Sequence, residues 1–222
     1  MFSHELHSRL VAYRTDNRQA WTRDLAAAAV RIHSVTPDRN DLSILPSAGQ
    51  EQIRLNLNEY GEKVATSEDP IVRRIYTALR SQLDLIDWPL ACLVHDDFWP
   101  GNTVWYRGRL VAVIDWEDAK LGDRRTDVAQ AQLEFAFTID LEAADMFVAA
   151  YEEMSAPLPH LWYLQLYRGL GALFSVEQWL EGYSDAGIML EPFSVRRDLG
   201  MFVQRALDEA NAFFSSARLA GP

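Results

Sequence analysis

The chain has 222 residues and a mass of 25.3 kDa, enough to bury a full apolar core without disulfides or structural metals as staples. Thirty-two acidic against 21 basic residues give a net charge of −11, which argues against nucleic acid or an anionic membrane as partner and suits a cationic small molecule. A single cysteine, Cys92, excludes an internal disulfide and a multi-cysteine zinc site; with no apolar run near the roughly 18 residues of a membrane span and no basic-then-apolar leader, the chain reads as cytoplasmic.

No repeat, low-complexity tract or Gly/Ser linker interrupts the chain, so residues 1–222 read as one unit. From Trp21 to Val35, the residues Trp21, Leu25, Ala28, Ala29 and Ile32 recur at helical steps and form one buried stripe, which Thr36-Pro37-Asp38 ends. A second helix is expected from about Glu68 to Ile86, capped by Ser67, with Ile71, Ile75, Leu79, Leu83 and Ile86 on its core face. Ala91-Cys92-Leu93-Val94 then reads as a strand, and Thr103–Tyr106 and Leu110–Ile114 flank Arg107-Gly108 as a hairpin, so β structure is expected only over about residues 91–115. Helices return over Asp127–Phe137, Leu141–Met154, Leu158–Tyr183 and Ser194–Ser215. Within the third of these, Gly169-x-Gly171 reads as close helix packing, because it sits in an apolar helical run. The fold class is therefore α+β and mainly helical, with a small central β-hairpin.

The densest polar cluster is His95-Asp96-Asp97-Phe98-Trp99-Pro100-Gly101-Asn102, between the strand and the hairpin. With a two-residue turn, Tyr106 faces Arg109, Val104 faces Val111 and Asn102 faces Val113, and Asp115 lies one diagonal step beyond on the same face. An amide oxygen and a carboxylate so placed, about 7–8 Å apart at the backbone, can share a hard cation such as Mg²⁺. Asp97 can then accept a proton from a hydroxyl while the metal neutralises a phosphate, the division of labour phosphoryl transfer requires. Asp123 and Asp127 read as helix N-caps beside Thr126, and Cys92 as an inert buried thiol. Glu177, Glu181 and Asp185 read as a solvated face before they read as a cation pocket.

His95-x-Asp97-x4-Asn102, then Val113-Ile114-Asp115-Trp116-Glu117-Asp118-Ala119, Gly122-Asp123 and Asp127-Val128-Ala129, resembles the signature region of the aminoglycoside phosphotransferase/choline kinase family, relatives of the protein kinases. The resemblance is dense from Leu93 to Ala129 and implies a kinase-like carboxy-terminal lobe. It implies ATP as phosphoryl donor, a hydroxyl of a small molecule (aminoglycoside, amino alcohol or sugar) as acceptor, Asp97 as catalytic base, Asn102 and Asp115 as Mg²⁺ ligands, and His95 and Asp127 as structural supports. Asp96 departs from the family's common Gly and would raise the Asp97 pKa by like-charge repulsion.

The family's amino-terminal ATP-clamping lobe is not legible: no Gly precedes Gly49, no lysine precedes Lys63, and neither G-x-G-x-x-G nor G-x4-G-K-[ST] can be written. The chain thus resembles the carboxy-terminal lobe alone, for which little activity is expected without a separate amino-terminal lobe, and self-association through the face that lobe would cover. Three other readings stand beside the kinase. One is a non-catalytic kinase-like binding or regulatory lobe. Another is a non-haem iron site starting at His95-x-Asp97, which needs a distant second histidine such as His160. A serine hydrolase is the weakest, because Gly182-Tyr183-Ser184-Asp185-Ala186 lacks the second glycine of G-x-S-x-G.

Overall fold

Amphipathic spacing turns into helix wherever an apolar stripe needs a core to face, and a computed structural model, which describes residues 18–35, 42, 44–185 and 189–219, shows where each stripe goes. Helix α1 (Arg18–His33) buries Trp21, Leu25, Ala29 and Ile32, and also His33. Its expected stop at Thr36-Pro37-Asp38, and the residues near Met1, lie outside the described residues. Helix α2 (Gln50–Thr66), which no strong periodicity marks, buries Ile53, Leu57 and Val64. Helix α3 (Pro70–Gln82) is capped by Asp69 and not by Ser67: Pro70 supplies no amide, and the Asp69 carboxylate accepts from Ile71 N at 2.9 Å. Its buried face carries Val72, Ile75 and Leu79, while Ile71 is only partly buried.

The β structure is wider than the expected 91–115. Strand β1 (Ser47–Ala48) runs parallel to β5 (Lys120–Gly122), which pairs antiparallel with β2 (Cys92–Val94) on its other side. Strands this short carry no period; β5 exists because it satisfies the backbones of two neighbours at once. The hairpin pairs β3 (Thr103–Tyr106) with β4 (Arg109–Val113) across Arg107 and Gly108, both at positive φ (50° and 76°), as a two-residue turn that follows the strand twist requires. Tyr106 faces Arg109 as expected, but a bulge sets Val104 opposite Ala112 and Thr103 opposite Val113, where Val111 and Asn102 were expected. Asn102 O therefore accepts from Ile114 N, at 2.9 Å, and Asp115 follows directly after. Trp105 in β3 stacks on Trp21 of α1, ring centroids 4.1 Å apart, which seats the hairpin on the helical body.

The remaining helices are α4 (Arg125–Thr138), α5 (Leu141–Met154), α6 (Leu161–Asp185) and α7 (Pro192–Leu219). Helix α4 is the hub: every residue but Thr126 is buried, including Asp127, Gln130, Gln132 and Glu134. A helix enclosed on all sides that carries such groups must find each a partner. Gly169 lets α6 and α7 approach closely, since a Cβ there would stand 2.4 Å from Val203 Cγ1. Among the described residues, no helix is long and apolar enough to cross a membrane.

Candidate functional site

The loop after β2 is held from beneath by Asp127, in the first turn of α4. Its fully buried carboxylate accepts from His95 N (2.8 Å), Asp96 N (2.7 Å) and His33 Nε2 (3.0 Å), and His33 Nδ1 meets Tyr151 Oη at 2.8 Å. Burial alone would raise the Asp127 pKa, but the hydrogen bond and attraction of His33 and the two amides outweigh it and hold the carboxyl below its ordinary value. Asp127 thus holds the loop through that loop's backbone amides and does not cap α4, the role its position suggested. Asp123 is not the N-cap either, a position that Arg124 takes without a side-chain cap bond; one residue earlier, Asp123 accepts from Arg125 N at 2.9 Å and pairs with the buried Arg125 guanidinium.

Above this anchor sits Asp97, partly buried. Asn102 Nδ2 donates to Asp97 Oδ2 at 2.7 Å and to Asp97 O at 2.9 Å, so the loop closes on itself and the other prong of the amide, Oδ1, is left for a further partner. The turn between them is tight: a Cβ on Gly101 would stand 2.0 Å from the Trp99 ring, and Thr103 Oγ1 donates to Pro100 O at 2.5 Å. Burial pushes the Asp97 carboxyl above its usual range, opposed by Asn102, Arg168 and His95. Fully buried His95 donates from Nε2 to Ile114 O at 2.8 Å and lies against Trp116, tying the loop to the segment that carries Asp115. Asp115 is exposed and in the left-handed region, φ 67°. His95, Asp97, Asn102, Asp115 and Asp127 thus belong to one assembly, although the bulge replaces the expected Asn102–Val113 register.

Asp96 does not act on Asp97 as the sequence suggested. It takes φ 66°, a conformation glycine adopts freely, and its carboxylate is held by Lys120 and by Arg168, whose Nη2 lies at 2.6 Å. Those cations offset its charge, and burial, not Asp96, raises Asp97. The pairing of Lys120 and Arg168 with Asp96 escapes sequence reasoning because the partners lie on different elements.

Glu134 is the other group missed. Its buried carboxyl hydrogen-bonds Tyr183 Oη and accepts from Gln130 Nε2 at 3.1 Å; burial raises its pKa to about 8, and the nearby charge of Asp97 pushes the same way. Trp99 packs edge-on against Tyr183, so a carboxyl, a phenol and an indole adjoin the Asp97 loop. Lys63, by contrast, lies over the Tyr60 and Phe174 rings, and Glu177 pairs with Arg196 in solvent. Cys92 is buried and its thiol is pushed up to about 12. His160 packs among Trp162 and Phe213 while His95 spends Nε2 on Ile114 O, so the two do not form an iron site.

The site is thus a part-buried carboxylate fixed by an amide, on a loop pinned to a hub helix and tied to the segment that carries a second carboxylate, within a kinase-like, mainly helical fold. The chain belongs to the phosphotransferase enzyme family, whose model matches residues 7–163. It resembles the GDP complex of an aminoglycoside 2'-phosphotransferase-IIIa variant (15% identity, 95% of this chain and 67% of that one, TM-score 0.60). It also resembles macrolide 2'-phosphotransferase type I (17%, 84% and 60%, 0.54). A third likeness is to a choline/ethanolamine kinase family protein from Mesorhizobium loti (14%, 96% and 65%, 0.52). The chain spans about 60% of the length of the macrolide phosphotransferase. No curated protein matches it in a sequence search.

Proposed function

We propose that this chain carries the catalytic loop of a small-molecule O-phosphotransferase that moves the γ-phosphoryl group of ATP to a substrate hydroxyl. The observation that carries the reading is the Asp97–Asn102 pair on a loop anchored by Asp127. Asp97 would accept the acceptor hydroxyl's proton at the oxygen that Asn102 does not hold, and burial raises its basicity for that step. Asn102 Oδ1 and the Asp115 carboxylate are hard oxygen donors, and among the described residues no group of three or more His, Cys, Asp or Glu is set to hold a metal. So sparse a donor set suits Mg²⁺, which binds through one or two carboxylates plus substrate phosphates and water. When bound, Mg²⁺ would neutralise phosphate charge; the chain's own part is to position Asp97 against the hydroxyl and exclude misaligned encounters.

The acceptor is read as a small, preferably cationic molecule, because the chain is acidic. The exposed apolar residues Tyr106, Val111 and Ile114 of the hairpin and its exit are the face that a nucleotide-clamping lobe, on this or another chain, or a second copy would cover. The test is calorimetric titration with ATP·Mg²⁺ and GTP·Mg²⁺, followed by turnover on a panel of amino alcohols, aminoglycosides and macrolides. Asp97→Asn should lower kcat by about a hundredfold or more and leave nucleotide affinity nearly intact, whereas Asp115→Ala should weaken the Mg²⁺-dependent part of that affinity. Absence of Mg²⁺-dependent nucleotide binding would instead favour the non-catalytic lobe.

A further inference from the structure

Besides the loop site, α4 faces a second cavity, of about 400 Å³, on its other side. Gln132 lines it, and Gln132 and Glu134 stand two residues apart, about 200° round the helix, so the thickness of α4 separates this cavity from Tyr183 and the Asp97 loop. Two amides more than nine-tenths buried form its inner wall: Gln165 of α6 donates from Nε2 to Gln132 Oε1 at 2.5 Å. That bond uses one prong of each. Gln132 Nε2 and Gln165 Oε1 make no hydrogen bond to the protein among the described residues and are open to the cavity, so the wall offers a guest one donor and one acceptor.

The rest of the lining fixes the sign of the guest. Asp145, Asp208 and Glu209 face a single cation, Arg205, and that guanidinium is held by Asp145 at 3.0 Å. Among the described residues Asp208 accepts only from the neutral Gln204 and Glu209 has no ion-pair partner, so three carboxylates against one guanidinium leave the mouth net negative. Partial desolvation and the neighbouring Asp145 hold the Glu209 carboxyl above its usual range, against the attraction of Arg205. Buried Phe202 and partly buried Leu141 supply an apolar floor.

We propose that this cavity binds a small organic ammonium ion bearing a hydroxyl, at a site separate from the phosphotransfer loop. The ammonium donates to Gln165 Oε1 and the Glu209 and Asp208 carboxylates, the hydroxyl oxygen accepts from Gln132 Nε2, and the carbon chain lies on Phe202. Nothing is transferred; the site is one of recognition.

Calorimetric titration of the full chain with aminobutanol, at an ionic strength of about 0.15 M to screen loose attraction, tests it, with n-butanol as the uncharged control. The expected result is one site with Kd below about 1 mM, weakened at least about tenfold by Gln165→Leu and by Glu209→Gln, and unchanged by Asp97→Asn. Glu209 and Asp208 are exposed, so Glu209→Gln and Asp208→Asn report on the site even where Gln165→Leu fails to fold, and a melting curve certifies each variant. No heat up to about 50 mM ligand, equal binding of n-butanol, or binding that survives the carboxylate changes overturns the proposal. Loss of binding in Asp97→Asn overturns it too, by placing the cation at the acceptor site; failure of phosphotransfer alone leaves it standing.

Discussion

Replacing Asp127 with alanine should destabilise the fold more than any other single change in the loop. The substitution strands two backbone amides, His95 N and Asp96 N, and the His33 ring nitrogen, all in a site with no water access to the lost carboxylate. Each stranded buried group costs about 1–3 kcal/mol, and removing one partner of a buried ionic network typically costs about 3–5 kcal/mol in all. At about 2–4 °C per kcal/mol for a chain of this size, the melting temperature should fall by about 10 °C or more. Asp127→Asn keeps one acceptor oxygen but turns an NH₂ toward a donor, so it should recover about half of the loss. The assay is urea unfolding at neutral pH, joined to amide hydrogen exchange at His95 and Asp96, whose protection should collapse before that of α4. Sign and pH follow from the lowered folded pKa: the carboxylate's contribution is present above the unfolded value of about 3.9 and is lost as pH falls through the folded one, so the acid limb should be shallower in Asp127→Ala. A loss below about 1 kcal/mol, or unchanged exchange at those two amides, would refute the anchoring role.

Glu134 has the opposite sign: its folded pKa of about 8 lies above the unfolded value near 4.3, so its contribution is full below that value and is lost as pH rises toward 8, by up to about 1.4 kcal/mol per unit. Glu134→Gln should therefore flatten the stability profile between about pH 5 and 8 in urea titrations, and an unchanged slope would count against a neutral Glu134. Gly169→Ala should cost about 1–3 kcal/mol in a thermal melt, because its Cβ would stand 2.4 Å from Val203 Cγ1 and valine has few rotamers to yield; the double variant with Val203→Ala should recover most of it. Cys92, buried with its thiol raised to about 12, should resist iodoacetamide at pH 8 in the native chain and react once urea unfolds it, so native labelling would contradict the buried placement.

Apart from α2, the helix positions, the two-residue turn at Arg107-Gly108 and the close packing at Gly169 were legible from sequence, because each depends on residues within a turn or two of one another: apolar spacing says which face is buried, and a short loop says which φ values it needs. That His95, Asp97 and Asn102 lie together was legible for the same reason, since all three fall within eight positions of one loop. Periodicity and spacing are silent about partners. His33 reaches Asp127 across 94 positions and Arg168 reaches Asp96 across 72, so packing decided that Asp127 anchors a loop where a helix cap was expected, and that Asp96 is neutralised where it was expected to perturb Asp97. The extra residue of the hairpin bulge belongs with these, since it depends on how β3 lies against α1 through Trp105 and Trp21, and it moves Asn102 from Val113 to Ile114. So does the protonation of Glu134, which follows from enclosure of α4 on every side: a carboxyl on a helix that meets solvent would stay ionised, and the same residue at the hub of the fold does not.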